Sequence, residues 1–96
     1  MRRAALRPRA RRDLEDIWDH TAKTWGPAQA EIYLRQIETS LATIAQEPMI
    51  GRACDEIRAG YRKFPAGSHI VFYRIDADTI DVVRILHQRM DIDRHS

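Results

Sequence analysis

"HIVFYRI", residues 69–75, is apolar on both faces of an extended chain, rich in β-branched and aromatic side chains and free of glycine and proline. Successive side chains of a strand point to opposite sides, so Phe72 and Tyr73 belong to different faces of any sheet they join. The stretch therefore predicts a central strand covered on both sides. Residues 57–64 before it and 79–87 after it are also extended and rich in Ile, Val, Phe and Tyr. The links "PAG" at 65–67 and "DAD" at 76–78 are short and turn-prone, which makes the three strands an antiparallel meander.

Upstream the periodicity is helical. "RAALR", residues 3–7, reads as a brief strand leading to Pro8, and Arg7 offers no side-chain acceptor to cap the helix that proline opens. Leu14, Ile17, Trp18, Thr21, Ala22 and Trp25 recur at helical spacing, predicting a helix over 9–25 with both tryptophans in the hairpin core. "WGP", residues 25–27, turns the chain: Gly26 ends one helix and Pro27 opens the next. Ala30, Leu34, Ile37, Leu41, Ile44 and Ala45 form a seam that packs antiparallel on the first helix, and Pro48 ends the second near Glu47. The resulting class is α+β in the order β-α-α-β-β-β. The hairpin covers one sheet face, leaving the short tail 88–96 or another molecule to cover the other. Part of that second face is accordingly expected to be a partner site.

With 96 residues the chain forms one domain, 1–96. A chain of this size buries roughly 60–68% of its unfolded surface and needs no disulfide or structural metal. Cys54 is the only cysteine, which excludes an intrachain disulfide and a cysteine-based zinc cluster and fits a reducing cytoplasm. No apolar run approaches membrane-spanning length, and the arginine-rich start lacks the apolar stretch of a signal peptide. A cytoplasmic protein is expected.

The net charge of +2 is too small to argue for non-specific nucleic-acid binding. Its distribution is uneven: Arg2, Arg3, Arg7, Arg9, Arg11 and Arg12 crowd the start and Asp13, Glu15, Asp16 and Asp19 follow at once, as on a solvated charged face. A second basic group, Arg58, Arg62, Lys63 and Arg74, sits in the strand region, with Arg58, Arg62 and Lys63 on or beside an edge strand. "RILHQRMD", residues 84–91, closes the last strand by bringing His87 beside Gln88, Arg89 and Met90.

Several of these segments together resemble a known family. "IGRACDEIRAGYRKFPAGSHIVFYRID" at 50–76, "IDVVRILHQRMD" at 80–91, "DLEDIW" at 13–18 and "WG" at 25–26 are similar to the ParE toxins of bacterial toxin–antitoxin modules, in the RelE/ParE superfamily. The resemblance implies a RelE/ParE-like fold and a poison of type II topoisomerase, chiefly DNA gyrase, with no cofactor. It also implies a ParD-like antitoxin with a ribbon-helix-helix DNA-binding dimer and a flexible tail that folds on the toxin in a hetero-oligomer. Operator DNA would be reached only through that antitoxin. The residues placed toward antitoxin or target are Arg58, Tyr61, Arg62, Lys63, Phe72, Arg74, His87, Gln88, Arg89 and Met90.

Two other functions compete with this one. RelE-like relatives cleave messenger RNA on the ribosome, which requires a base for the 2′-hydroxyl, cations at the phosphate and an acid for the leaving oxygen. His87, Arg74, Arg62, Lys63 and Glu56 would be that set. The nuclease branch often places a tyrosine by the histidine, whereas Gln88, Arg89 and Met90 follow here, so no residue is assigned chemistry. A non-toxic co-repressor that only binds antitoxin is the other alternative. A metal is not expected, because His87, Asp91 and His95 would share one face only of a helical tail and nothing else supplies ligands.

Overall fold

The computed structural model describes residues 3–90. Strand β1 (Arg3–Leu6) leads into helices α1 (Pro8–Trp25) and α2 (Pro27–Gln46), a short 3-10 turn (Pro48–Ile50), and strands β2 (Arg52–Ala53), β3 (Tyr61–Ala66), β4 (His69–Asp76) and β5 (Thr79–His87). The five strands form one sheet in the order β1-β5-β4-β3-β2. The expected antiparallel meander is β3-β4-β5; β1 joins it parallel to β5, and β2 pairs antiparallel with β3.

Each helix opens on a proline at its first turn, where no backbone N–H is required. Gly26 links them at φ +97, a conformation glycine adopts without Cβ strain. Arg7 indeed makes no capping bond; it donates instead through Nε and Nη2 to the Asp81 carboxylate of β5, at 3.0 Å and 2.6 Å. That pair ties the β1–α1 junction to the strand beside it.

The helical hairpin lies on one sheet face. Ile17, Ile37, Leu41 and Ile44 meet Val71, Tyr73, Ile80, Val82 and Ile85 in the main core. The opposite face carries a second cluster of Cys54, Tyr61, Phe72, Val83 and Leu86, with Ile57 and Ile70 against it. Phe72 and Tyr73 thus take opposite faces as expected. At that point the β4–β5 ladder slips by one residue, Phe72 pairing with Arg84 but Tyr73 with Val82.

Three expectations need correction. The stretch 57–64 is not one strand: residues 57–60 belong to a connector that turns at Gly60 (φ +83) and is closed by Cys54 N–H to Tyr61 O and Gly60 N–H to Asp55 Oδ1. Its apolar Ile57 packs down on the outer face, so the cover sought in the tail or in another molecule is supplied in part by the connector itself. The tail beyond Met90 lies outside the described residues. Second, the tryptophans are not hairpin core. Trp18 is 38% exposed and Trp25 71% exposed, while smaller Ala10, Ile17 and Thr21 make the contacts, because close helix–sheet packing leaves no room for indoles on that stripe. Third, Pro65 and Ala66 belong to β3 and the turn falls at Gly67–Ser68. Proline is accepted there because β2 covers only Arg62 and Lys63, leaving Pro65 on an open edge where no N–H is needed.

Candidate functional site

The residues singled out from the sequence separate into distinct places. Tyr61, Lys63, Phe72 and Arg74 share the outer face, with Tyr61 opposite Arg74 and Lys63 opposite Phe72. Tyr61 and Phe72 are buried there beneath the connector that carries Arg58 and Glu56, whereas Arg74 is exposed. Arg62 pairs with Tyr73 toward the helix side and spends its guanidinium on the main chain, Nη1 donating to Gly51 O at 2.6 Å. It also lies under β2 with Lys63 instead of on a free edge.

His87 sits at the other end of the sheet, opposite His69, with the two rings edge-to-face at 5.4 Å. Arg74 lies five positions along β4 from His69, about 17 Å at the rise of an extended strand. It also projects from the opposite face. His87, Arg74 and Lys63 therefore do not converge on one point. Gln88 N–H donates to Ser68 O, Arg89 N–H to His87 Nδ1, and Met90 N–H to His87 O, which folds this segment back at the strand end.

Around His87 the structure opens. β1 stops at Leu6 opposite Val82, so the rest of β5 has no strand on that side, and α1 runs past it instead. Two adjoining cavities of about 460 Å³ and about 510 Å³ share His20, Thr21, His69 and His87. One is flanked by Ile17, Leu86 and Met90, the other by Trp25 and Tyr33. The exposed Trp25 and Met90 thus edge a groove with an apolar floor and a histidine-lined wall.

Two polar devices that the sequence reading missed hold this groove. Asp13 of α1 accepts from Arg84 Nε and Nη2 at 2.8 Å and 2.9 Å, and from the Ile85 backbone N–H at 2.9 Å. A carboxylate thereby stands in for the missing edge strand. The hydrogen bonds from Arg84, then its attraction to Asp13, raise the arginine's already high pKa against the cost of burial. The available signal was spacing: Asp13, Ile17 and Thr21 recur every four residues on the buried stripe of α1.

The second device is Tyr33 of α2. Its hydroxyl accepts the Ser68 N–H at 2.9 Å and shares a hydrogen bond with His69 Nδ1 at 2.6 Å, fixing the β3–β4 turn. Gly67, at φ +64, lies beneath that ring, where a Cβ would come within 2.7 Å of Tyr33 Cε1. Burial, then the neighbouring His87, pushes His69 below its ordinary 6.5, with Asp13 opposing and His20 reinforcing the shift. A folded-state pKa below the unfolded value means the unfolded chain takes up the proton first. This contribution to stability is complete above about 6.5 and lost as pH falls through the folded value. Urea midpoints of the native protein should fall on acidification through that range, and His69→Gln should flatten that part of the profile.

Among the described residues no group of three His, Cys, Asp or Glu side chains could hold a metal ion. Cys54 is fully buried, and burial pushes its thiol pKa up, away from nucleophilic chemistry. No described helix is long and apolar enough to cross a membrane.

The two-helix, five-strand architecture is shared with solved structures. It matches a chain in the chromosomal ParDE toxin–antitoxin system of P. aeruginosa with a TM-score of 0.79 at 21% identity, covering 91% of this chain and 96% of that one. It matches a chain of the Mycobacterium tuberculosis toxin–antitoxin complex RelBE2 with a TM-score of 0.68 at 22% identity, covering 91% and 98%. At these identities the likeness concerns the fold. In sequence, residues 5–92 match the family described as the ParE toxin of the type II toxin–antitoxin system parDE. The chain is 57% identical over 94 residues to Toxin ParE1 of M. tuberculosis H37Rv, covering 97% of this chain and 96% of the relative. Toxin ParE1 of Caulobacter vibrioides is 40% identical over 90 residues, covering 94% and 93%. The protein belongs to the ParE toxin family of type II toxin–antitoxin systems.

Proposed function

We propose that this ParE-family toxin acts by binding and not by catalysis. It stalls DNA gyrase, or another type II topoisomerase, after strand cleavage, so that DNA breaks persist. A ParD-like antitoxin neutralises it in the cytoplasm, and the groove between α1 and β5 receives the antitoxin's tail. Trp25 and Met90 at its rim are the exposed side chains best suited to anchor a segment that folds on contact.

The observation that carries the binding reading is the dispersal of the potential nuclease groups. A nuclease must set a base, an acid and cations around one phosphate. Here His87 faces the helix side at one end of the sheet, Arg74 and Lys63 face outward, and Arg62 is engaged with Gly51. The His87 Nδ1 is occupied as an acceptor for Arg89 N–H. This arrangement supports a surface that recognises a partner by shape and charge.

Expression of the toxin alone in a susceptible bacterium tests the reading. Growth arrest with accumulated DNA breaks, relieved by the antitoxin, is the expected result; folded but harmless protein would favour an antitoxin-binding co-repressor. Arg74→Ala and His87→Ala should each raise the toxin level needed for arrest about fivefold, the loss of one surface contact of about 1 kcal/mol. Deleting a catalytic base would instead cost about 10²- to 10⁴-fold. A loss of that size in a folded His87→Ala protein, with cut mRNA in a ribosomal translation reaction, would make this an enzyme.

A further inference from the structure

His69 and His87 are paired across β4 and β5, their rings edge-to-face at 5.4 Å, on the wall shared by the two cavities of the α1–β5 groove. Both Nδ1 atoms are committed. The Arg89 backbone N–H donates to His87 Nδ1 at 3.2 Å, a bond that needs the lone pair of a neutral ring. Together with Met90 N–H to His87 O, it folds the chain back and brings Met90 to the groove. A proton on that nitrogen puts a second donor where the acceptor was, and the fold-back loses one of its ties.

At His69, Nδ1 lies 2.6 Å from the Tyr33 hydroxyl, which also accepts the Ser68 N–H. The hydroxyl's own proton has two acceptors in reach, that nitrogen and Ala66 O at 3.4 Å. A protonated His69 must donate at Nδ1, which turns the hydroxyl proton to the longer contact. Protons on both rings would also set like charges side by side. Burial, then His87, already holds His69 below its ordinary 6.5, with His20 adding to the shift and Asp13 opposing it. The other titratable and charged groups lining the groove are Asp13, Asp16 and His20 of α1, Tyr33 of α2 and Arg84 of β5. Asp13 and Arg84 offset each other, and Asp16 stands one helical turn before His20.

We propose that the groove is a proton-gated site, which holds the antitoxin's tail while His69 and His87 are neutral and releases it when the pair takes up a proton. This gate rests on the placement of the tail between α1 and β5. An apolar segment seated between Trp25 and Met90 removes water from the two rings, and desolvation further disfavours their charged form. The bound toxin then has the lower histidine pKa. Affinity is therefore complete above the free toxin's pKa and falls as pH drops below it.

The test is isothermal calorimetry of the full-length toxin with a synthetic peptide of the co-expressed antitoxin's C-terminal tail, in two buffers that differ in ionisation enthalpy. Affinity should fall about tenfold between about pH 7.5 and about pH 5.5, the cost of excluding one proton from a histidine of ordinary pKa, and binding should release protons to the buffer. Glutamine still offers an acceptor at either position but takes up no proton. His69→Gln and His87→Gln should each shrink the ratio of the two affinities to about threefold, and the double variant should bring it within about twofold. Thermal melts at both pH values confirm that each variant is folded. Tighter binding in acid, as when a tail carboxylate sits on the imidazoles, would overturn the gate. So would a native ratio in the double variant, or a ratio abolished by His20→Gln alone. Binding that ignores pH but is weakened by Trp25→Ala and Met90→Ala would remove the gate and keep the groove. A peptide that does not bind, or that binds regardless of Trp25 and Met90, would remove the groove and the gate with it.

Discussion

Replacing Asp13 by alanine is expected to destabilise the protein by about 3–5 kcal/mol, the loss that follows when one member of a buried ion pair is removed and its partner stays behind. Asp13 and Arg84 side chains are only 10% and 13% exposed, and the carboxylate also takes the Ile85 N–H on the uncovered edge of β5. Deletion strands a guanidinium and a backbone donor together, where solvent reaches neither well. Urea unfolding would measure the effect. Asp13→Asn should lie between the two, since its amide oxygen still accepts from Ile85 but no longer carries charge. The double variant Asp13→Leu/Arg84→Met should recover much of the loss, because a buried pair replaced as a unit leaves no orphaned charge.

Gly51→Ala is the second large effect. Gly51 has φ −70 and ψ 146, an extended conformation open to any residue, so its restriction is purely steric. A Cβ there would lie 2.7 Å from Tyr73 Cε1 and still closer to the tyrosine oxygen. Tyr73 is fully buried and cannot swing away. Its hydroxyl donates to Pro48 O at 2.6 Å and accepts the Gly51 N–H at 2.9 Å, which locks the α2–β2 connection to the central strand. Overpacking at such a site costs about 1–3 kcal/mol. Tyr73→Phe leaves a buried N–H and C=O unpaired, also about 1–3 kcal/mol. Since the hydroxyl is the nearest obstacle to the new methyl, the double variant should lose less than the sum. Additive losses in urea melts would show that the two positions do not meet.

The central architecture was legible because burial on both sides leaves a mark in sequence. "HIVFYRI" reads as a covered strand, and the prolines and Gly26 bracket the helices because φ is restricted there or must be positive. Legibility failed where apolar residues serve something other than regular structure. Ile57 is apolar because it caps the outer face from a loop, and composition alone cannot distinguish a capping loop from a strand. Trp18 and Trp25 share the helical period of the core stripe, yet period does not reveal which edge of the stripe is open.

The site was less legible than the fold, for a related reason. Arg58 and Tyr61 do border one cavity, but it is completed by Arg7, Arg9 and Arg84, which are remote from them in sequence and are brought together where β1 pairs in parallel with β5. His87 was read correctly as a strand-end residue, but the opening beside it was not foreseen. Its partners His69, His20 and Tyr33 come from three different elements, and no local pattern connects them.

The claim that this toxin works by occupying gyrase is tested most directly by adding the purified protein to gyrase, relaxed plasmid and ATP, then denaturing the reaction to reveal trapped cleavage products. The account expects inhibited supercoiling together with linear DNA bound covalently to gyrase, and intact mRNA in a parallel ribosomal reaction. Normal supercoiling beside cleaved mRNA would contradict it.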